Sequence, residues 1–256
     1  MIGYEWYALR TLRHVRVLAV VLTVVIVVGS FAAAAMFSLF PEFGLTPDGL
    51  FVSVMRLNMA LPVGAVTLAV AATLADARRG LVLGAILRAG SRQRVWWAKL
   101  VVAVGAAVLL SLLSAAVGLV AIGLTAGAVS TGSALATTGR ATLYAVGFAL
   151  IGVGVASIVR RHLLGAIAIP VVAAFMVEPA LLASLVFVPR TWSWLVSLLP
   201  FTAGGEFLVG TGAAGMYFPA DSIGRPAAVF FGVAALTALA GYLVFRRADL
   251  AVVDTA

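Results

Sequence analysis

Long, unbroken apolar runs separated by short polar punctuation set the pattern of this chain. Val17–Phe40 is the plainest run, and Lys99–Gly127 and Ala227–Phe245 come close to it. About 18 or more apolar residues are enough for a helix to cross the hydrocarbon core of a bilayer. The runs lack the period-two alternation of a strand-built barrel, so a helical bundle is expected. Six crossings are predicted, over 17–40, 52–75, 99–124, 141–159, 162–184 and 226–245. The expectation is an all-α integral membrane protein with six transmembrane helices in a single domain over 1–256.

The connection between the fifth and sixth runs, 178–225, departs from this pattern. Leu181–Val188 and Trp192–Leu199 are greasy but too short to span, and Pro179, Pro189 and Pro200 interrupt them. Two arrangements fit. One is an interfacial hairpin with Trp192 and Trp194 at headgroup level. The other is a pair of re-entrant helices broken at Pro200, which needs its backbone satisfied by protein or water.

Composition agrees with the pattern: 64% of residues are apolar and 10% charged, outside the range of soluble domains. The formal charge of +8 reads as membrane orientation rather than as a nucleic-acid footprint, because the cations cluster beside spans. One set of loops holds Arg10, Arg13, Arg16, Arg78, Arg79, Arg88, Arg92, Arg94, Lys99, Arg160, Arg161, Arg246 and Arg247. The other holds Arg56, Arg140, Arg190 and Arg225, with Glu42, Asp48, Glu178, Glu206 and Asp221. Thirteen cations against four put both termini in the cytoplasm. The first run resembles a signal peptide up to the alanines at Ala32–Ala35, yet it continues to Phe40, which is long for such a leader; it is expected to stay as a span. Sixteen arginines to one lysine, with heavy Ala and Val use, point to a bacterial coding sequence and so to the bacterial plasma membrane.

Candidate chemistry is sparse. Cysteine is absent, which removes disulfides, thiolate zinc sites and cysteine nucleophiles. His14 and His162 both fall at predicted cytoplasmic ends, away from any intramembrane serine, and no H-E-x-x-H occurs. No predicted span carries the carboxylate pair of an ion-driven carrier. Glu178, followed by Pro179, is expected near the outer end of the fifth helix. Arg56 and Asn58 lie in the outer third of the second span, where Arg56 reaches either to headgroups or to an outer acid. Glu206, in P-F-T-A-G-G-E-F-L, is either a solvated loop acid or part of an outward exit lined also by Trp192, Arg56 and Asn58. The Gly123/Gly127 spacing suits helix packing but arises readily by chance in a chain this rich in glycine. No P-loop is present, since the sole lysine, Lys99, follows Trp97-Ala98; the chain binds no ATP by that motif.

The loop Asp76–Lys99 holds six cations, one acid and a short apolar stripe. Leu83, Ile86, Leu87 and Gly90 recur at helical spacing with Arg88, Arg92 and Arg94 around them. Such a surface helix binds either an anionic leaflet or a protein groove. The stretch Leu87–Lys99, L-R-A-G-S-R-Q-R-V-W-W-A-K, resembles the loop of ABC type-2 exporter permeases at Ser91, Arg92 and Lys99, with Gly90 where a proline is usual. The chain end L-V-F-R-R-A-D-L is similar to that family's close of the sixth span at Arg246, Arg247 and Asp249. The E-x-x-x-L-R opening, Glu5–Arg10, and the broken apolar segment before the last span fit as well.

That resemblance implies a permease subunit working with two cytoplasmic ABC ATPase subunits and a second permease, either another copy or a relative. ATP and magnesium would be bound by the ATPase partner, with no cofactor in this chain. Residues 76–98 would form the coupling loop, with Leu83, Ile86, Leu87, Arg88, Ser91 and Arg92 against the ATPase. Residues 1–16 would be an interfacial helix, and 178–225 the outer re-entrant region. The expected activity is ATP-driven export of an amphipathic substrate such as a drug, peptide antibiotic or lipid-linked molecule. Its rivals are an ion-coupled secondary transporter and a non-transport assembly or sensing subunit.

Overall fold

The computed structural model describes residues 2–11, 13–39, 45–74, 82–160, 162–185, 198–210 and 223–247, and every regular element among them is helical. The order is α1 (Ile2–Thr11), α2 (Arg13–Leu39), α3 (Pro47–Leu57), α4 (Ala60–Leu74), α5 (Val82–Ala89) and α6 (Arg92–Thr125). Then follow α7 (Thr131–Val159), α8 (Leu163–Val172), a π-helical turn (Ala173–Val177), α9 (Glu178–Leu185), α10 (Pro200–Val209) and α11 (Gly224–Arg247). Five helical stretches are long and apolar enough to cross a membrane, and the bent pair α3–α4 makes a sixth crossing if counted as one. These are the dimensions of a multi-pass helical membrane protein.

The second predicted span is two helices, bent by 40°. The chain breaks at Asn58-Met59, where Asn58 N–H closes α3 on the Val54 carbonyl (3.1 Å) and the Asn58 carbonyl accepts Leu61 N–H (3.0 Å). Pro62 sits in the first turn of α4, where a missing N–H is harmless. Hydropathy runs straight across this break, which is why the sequence pattern conceals it.

Two other boundaries move outward. The third and fourth crossings begin at Arg92 and Thr131, seven and ten residues before their predicted starts at 99 and 141. Ser91 Oγ accepts Arg94 N–H (3.3 Å) and Ser130 Oγ accepts Ser133 N–H (3.4 Å), so each helix has a serine N-cap well before its apolar run. Asp48, in the first turn of α3, accepts both Ser130 N–H and Ser130 Oγ–H at 2.7 Å. That clasp ties the start of α3 to the start of α7.

At the centre lies α7, packed against α3, α4, α6, α8, α10 and α11. Small residues allow this. A Cβ on Gly241 of α11 would come within 2.7 Å of the Gly154 Cα, and a Cβ on Gly154 would land on the Thr237 carbonyl. On the opposite face a Cβ at Gly152 would meet the Val66 carbonyl at 3.0 Å. Backbone-to-backbone approach of this kind drives helix association where no hydrophobic effect operates. Gly123 and Gly127 take no part: nothing lies within 4 Å of a Cβ at either.

The fifth crossing is continuous through Glu178-Pro179, so Glu178 does not end it. Its regular turns lie on either side of the π-helical turn, itself between Pro170 and Pro179. Each proline removes an amide from the ladder and crowds the preceding turn, and the wider π-turn takes up that mismatch. Glu178 N–H bonds the Ala173 carbonyl, five residues back.

Candidate functional site

Two regions at opposite ends of the bundle hold the polar chemistry. The first is the seat of α10. This helix has ten residues, about 15 Å at 1.5 Å per residue, half of what a crossing needs. It also carries Gly204 and Gly205, each worth about 1 kcal/mol against helix formation relative to alanine. Its order therefore comes from its surroundings.

Those surroundings account for its ends. Pro200 has no N–H to satisfy. Phe201 N–H and Thr202 N–H donate to the two oxygens of Glu178 at 3.0 and 2.7 Å, and Thr202 Oγ1 donates to the same carboxylate at 3.0 Å. Ala203 N–H reaches the Leu199 carbonyl (2.9 Å). Leu199 has no side chain able to cap, so Glu178 of α9 does it from another helix. At the far end Arg140 Nε donates to the Leu208 carbonyl (3.1 Å) and Gly210 N–H to the Glu206 carbonyl (3.0 Å). A carboxylate at the N-terminus and a guanidinium at the C-terminus both oppose the helix dipole.

The middle of α10 is equally tied. Arg56 Nη2 of α3 lies 3.9 Å from Glu206 Oε1, with side-chain exposures of 54% and 9%. Two residues beyond Arg56, Asn58 Nδ2 donates to Ser114 Oγ of α6 (3.4 Å). Beneath α10 lies an aromatic floor: Phe201 stacks on Phe148 (5.3 Å), and Phe148 and Phe230 both contact Tyr144. A Cβ on Gly204 would strike Phe230 at 2.8 Å and Tyr144 at 2.9 Å.

The depth of this seat follows from α7, whose 29 residues extend about 43 Å. Arg140 lies about 14 Å and Phe148 about 26 Å from its first residue. The first turn of α10 thus sits beside the middle of α7, and its last turn sits nearer the Thr131 end.

The second region is α5 and the turn after it. Gly90 has φ +72°, the left-handed conformation that favours glycine at a helix end, and its N–H caps Ile86 (2.9 Å). Ser91 then starts α6. Ala85 and Ala89 are buried with Val95, with Ile86 and Phe245 packed against them, whereas Leu87 is 75% exposed. Arg92 Nη1 donates to the Arg246 carbonyl (3.2 Å) and Arg160 Nη2 to the Val244 carbonyl (2.8 Å), so two cations cap the end of α11. Nearby, Lys99 and Glu5 form a buried ion pair at 3.2 Å, and Lys99 also donates to the Ala72 carbonyl (3.4 Å) near the end of α4.

Of the sequence-predicted residues, Arg56 and Glu206 come together at α10, whereas Asn58 is buried against Ser114 of α6. Trp192 lies outside the described residues, as do 76–81 of the coupling loop. Leu83 and Arg88 fall on α5, but their side chains lie outside what the structure describes. Ser91 and Arg92, both half-buried, serve as helix caps, Ile86 is half-buried, and Leu87 is left outward-facing. Sequence reasoning missed the capping roles of Glu178 and Arg140 and the Glu5–Lys99 pair. The signal it had for Glu178 was an acid inside an apolar run, and nothing local named its partner.

The helices thus define a multi-pass membrane protein with a polar-seated short helix toward one end and an amphipathic elbow at the other. No protein-family model matches the chain, and no curated protein matches its sequence.

Proposed function

We propose that this chain is the membrane-spanning permease subunit of an ATP-driven ABC exporter, moving an amphipathic substrate across the bacterial plasma membrane. The observation that carries the reading is α5. It is a short amphipathic helix between the second and third crossings that buries its alanines and leaves Leu87 75% exposed. It is also joined through the Gly90–Ser91 cap to the 34-residue α6. A partner pressing on Leu87 would move a rigid lever about 50 Å long.

Three further features support it. The cation-rich end, with α5, Arg160 and Arg246, is cytoplasmic by the positive-inside rule, which puts α5 within reach of a soluble ATPase pair. The chain has no P-loop, so nucleotide chemistry belongs to that partner, which would bind ATP and magnesium. Finally, α10 has satisfied ends and an aromatic floor at the middle of α7, as a re-entrant helix at the outer gate requires. ATP would act through the different affinity of the ATPases for the inward- and outward-open arrangements of two permease bundles.

An ion-coupled carrier is the second reading. It gains from Glu178 and Glu206, two buried carboxylates, the first capping α10 and the second carried on it, which the sequence pattern kept apart. It is disfavoured because Glu178 already accepts three hydrogen bonds from α10. Affinity purification of the tagged chain from its native membrane separates the two. A nucleotide-hydrolysing polypeptide in fixed stoichiometry supports the exporter; a lone chain that accumulates substrate on an ion gradient overturns it.

A further inference from the structure

We infer that the cation-rich end of the bundle holds a binding site for the phosphate of an anionic phospholipid, formed by Arg92 and Arg160 where α6 and α7 meet the last turn of α11. Arg92 Nη1 and Arg160 Nη2 donate to the Arg246 and Val244 carbonyls, two residues apart, and α11 itself finishes in Arg246-Arg247. Four guanidiniums thus gather on one helix end, whose dipole offers the equivalent of about half a negative charge. One would satisfy it. Glu5 is the only described acid at this end, and it is paired with Lys99. Over the whole sequence, thirteen cations at this end face only Glu5, Asp76, Asp249 and Asp254. An excess of this size calls for an anion.

Three features mark a built site rather than diffuse charge. Arg160 has φ +45°, and among the described residues no other residue except glycine has a positive φ. Arginine is strained where glycine would be at ease, and its side chain supplies what glycine could not. Nε donates to the Ser157 carbonyl (3.0 Å), and the guanidinium lies 5.9 Å from the centre of the Phe245 ring. With the Val244 bond, that engages Nε and Nη2 and leaves Nη1 for an oxyanion, which accepts from such a fork. Trp96, one turn along α6 from Arg92, is buried against Tyr242, one turn before Arg246 (5.2 Å). Its Nε1–H has no hydrogen-bond partner among the described residues, although buried polar groups are ordinarily paired. The same α6–α11 seam therefore carries a neutral donor beside its charges. Trp97, next along, is 51% exposed. Interfacial tryptophans sit at headgroup level, and Arg92 lies about 7 Å beyond this one along α6. That is the depth of the phosphate layer, which favours a lipid over a soluble anion. Once occupied, the site would fasten α11 to α6 and α7 beside α5, whatever the chain transports.

The test is native mass spectrometry of the full chain in detergent, titrated with one lipid at a time. Dioleoylphosphatidylglycerol is expected to bind about tenfold or more tightly than dioleoylphosphatidylcholine, the scale of one hydrogen bond to a charged group. Arg92→Gln and Arg160→Gly should each remove most of that preference. Arg160→Gly also relieves the left-handed backbone, so its loss cannot be laid to misfolding. Arg13→Gln takes one exposed cation from the same end and should keep the preference. Inorganic phosphate is the probe for a soluble anion and should displace little phosphatidylglycerol, since it lacks the binding contribution of the acyl chains. Displacement by inorganic phosphate, an equal loss with Arg13→Gln, or a preference kept in Arg160→Gly overturns the site. So does a parent chain with no preference, the result expected if these arginines serve an acidic protein surface instead.

Discussion

Lys99 and Glu5 meet at 3.2 Å with both side chains only 3% exposed, across 94 residues of sequence. The pair joins α1 to the beginning of α6, and through the Ala72 carbonyl it also reaches the end of α4. The N-terminal helix is therefore attached to the same lever that follows α5. Removing one member leaves a buried charge without its counterion, which costs on the order of 3–5 kcal/mol. Lys99→Met and Glu5→Gln should each lower the thermal midpoint in detergent strongly. The double variant Lys99→Met/Glu5→Leu should recover much of the loss, because matched apolar groups replace a pair at little cost. Single variants as stable as the parent would contradict this account of the pair.

The α7–α11 contact rests on glycines at Gly154 and Gly241, which touch backbone rather than the ends of flexible side chains. Gly154→Leu should abolish folding or cost more than the about 1–3 kcal/mol usual for overpacking, since a carbonyl cannot move aside. Gly123→Ala, on an open face of α6, should be neutral or stabilise by up to about 1 kcal/mol through helix propensity. Yield and thermal stability of the two variants in the same detergent make the comparison, and equal behaviour would count against the packing argument.

Orientation is checked with two cysteines on exposed, open positions. Gln93→Cys lies in the first turn of α6 beside the cation-rich end, and Gly132→Cys in the first turn of α7, where nothing crowds a Cβ. A membrane-impermeant maleimide applied to intact cells should label Gly132→Cys and spare Gln93→Cys, with the reverse in inside-out vesicles. Labelling of Gln93→Cys from outside would invert the topology.

Crossings are legible in the sequence because hydropathy reports the bilayer directly. Helix ends are less so, because hydropathy marks where lipid begins and not where hydrogen bonding begins. The stretch Thr131–Arg140 is polar enough to be read as a loop, yet Ser130 caps it into α7. The Asn58 break is hidden for the opposite reason: both sides of it are apolar. Least legible are the pairings. Glu206 answers to Arg56, 150 positions away, and Glu178 caps amides at Phe201 and Thr202. Such partners are fixed by how crossings pack, and one sequence carries no record of that. Likewise Ile86 and Leu87 are adjacent apolar residues in the sequence, and only packing against Ala89, Val95 and Phe245 separates a half-buried residue from an exposed one.

That separation makes Leu87 the sharpest probe of the proposal that α5 transmits force from a cytoplasmic ATPase. Because Leu87 is 75% exposed, Leu87→Asp changes the outer face without opening the packed one. The measurement is recovery of ATPase with the tagged chain from detergent-solubilised native membranes, normalised to inserted protein. The account predicts normal insertion with recovery reduced at least about tenfold, the effect of losing an apolar anchor at the centre of a docking surface. Undiminished recovery of the ATPase with Leu87→Asp would contradict it.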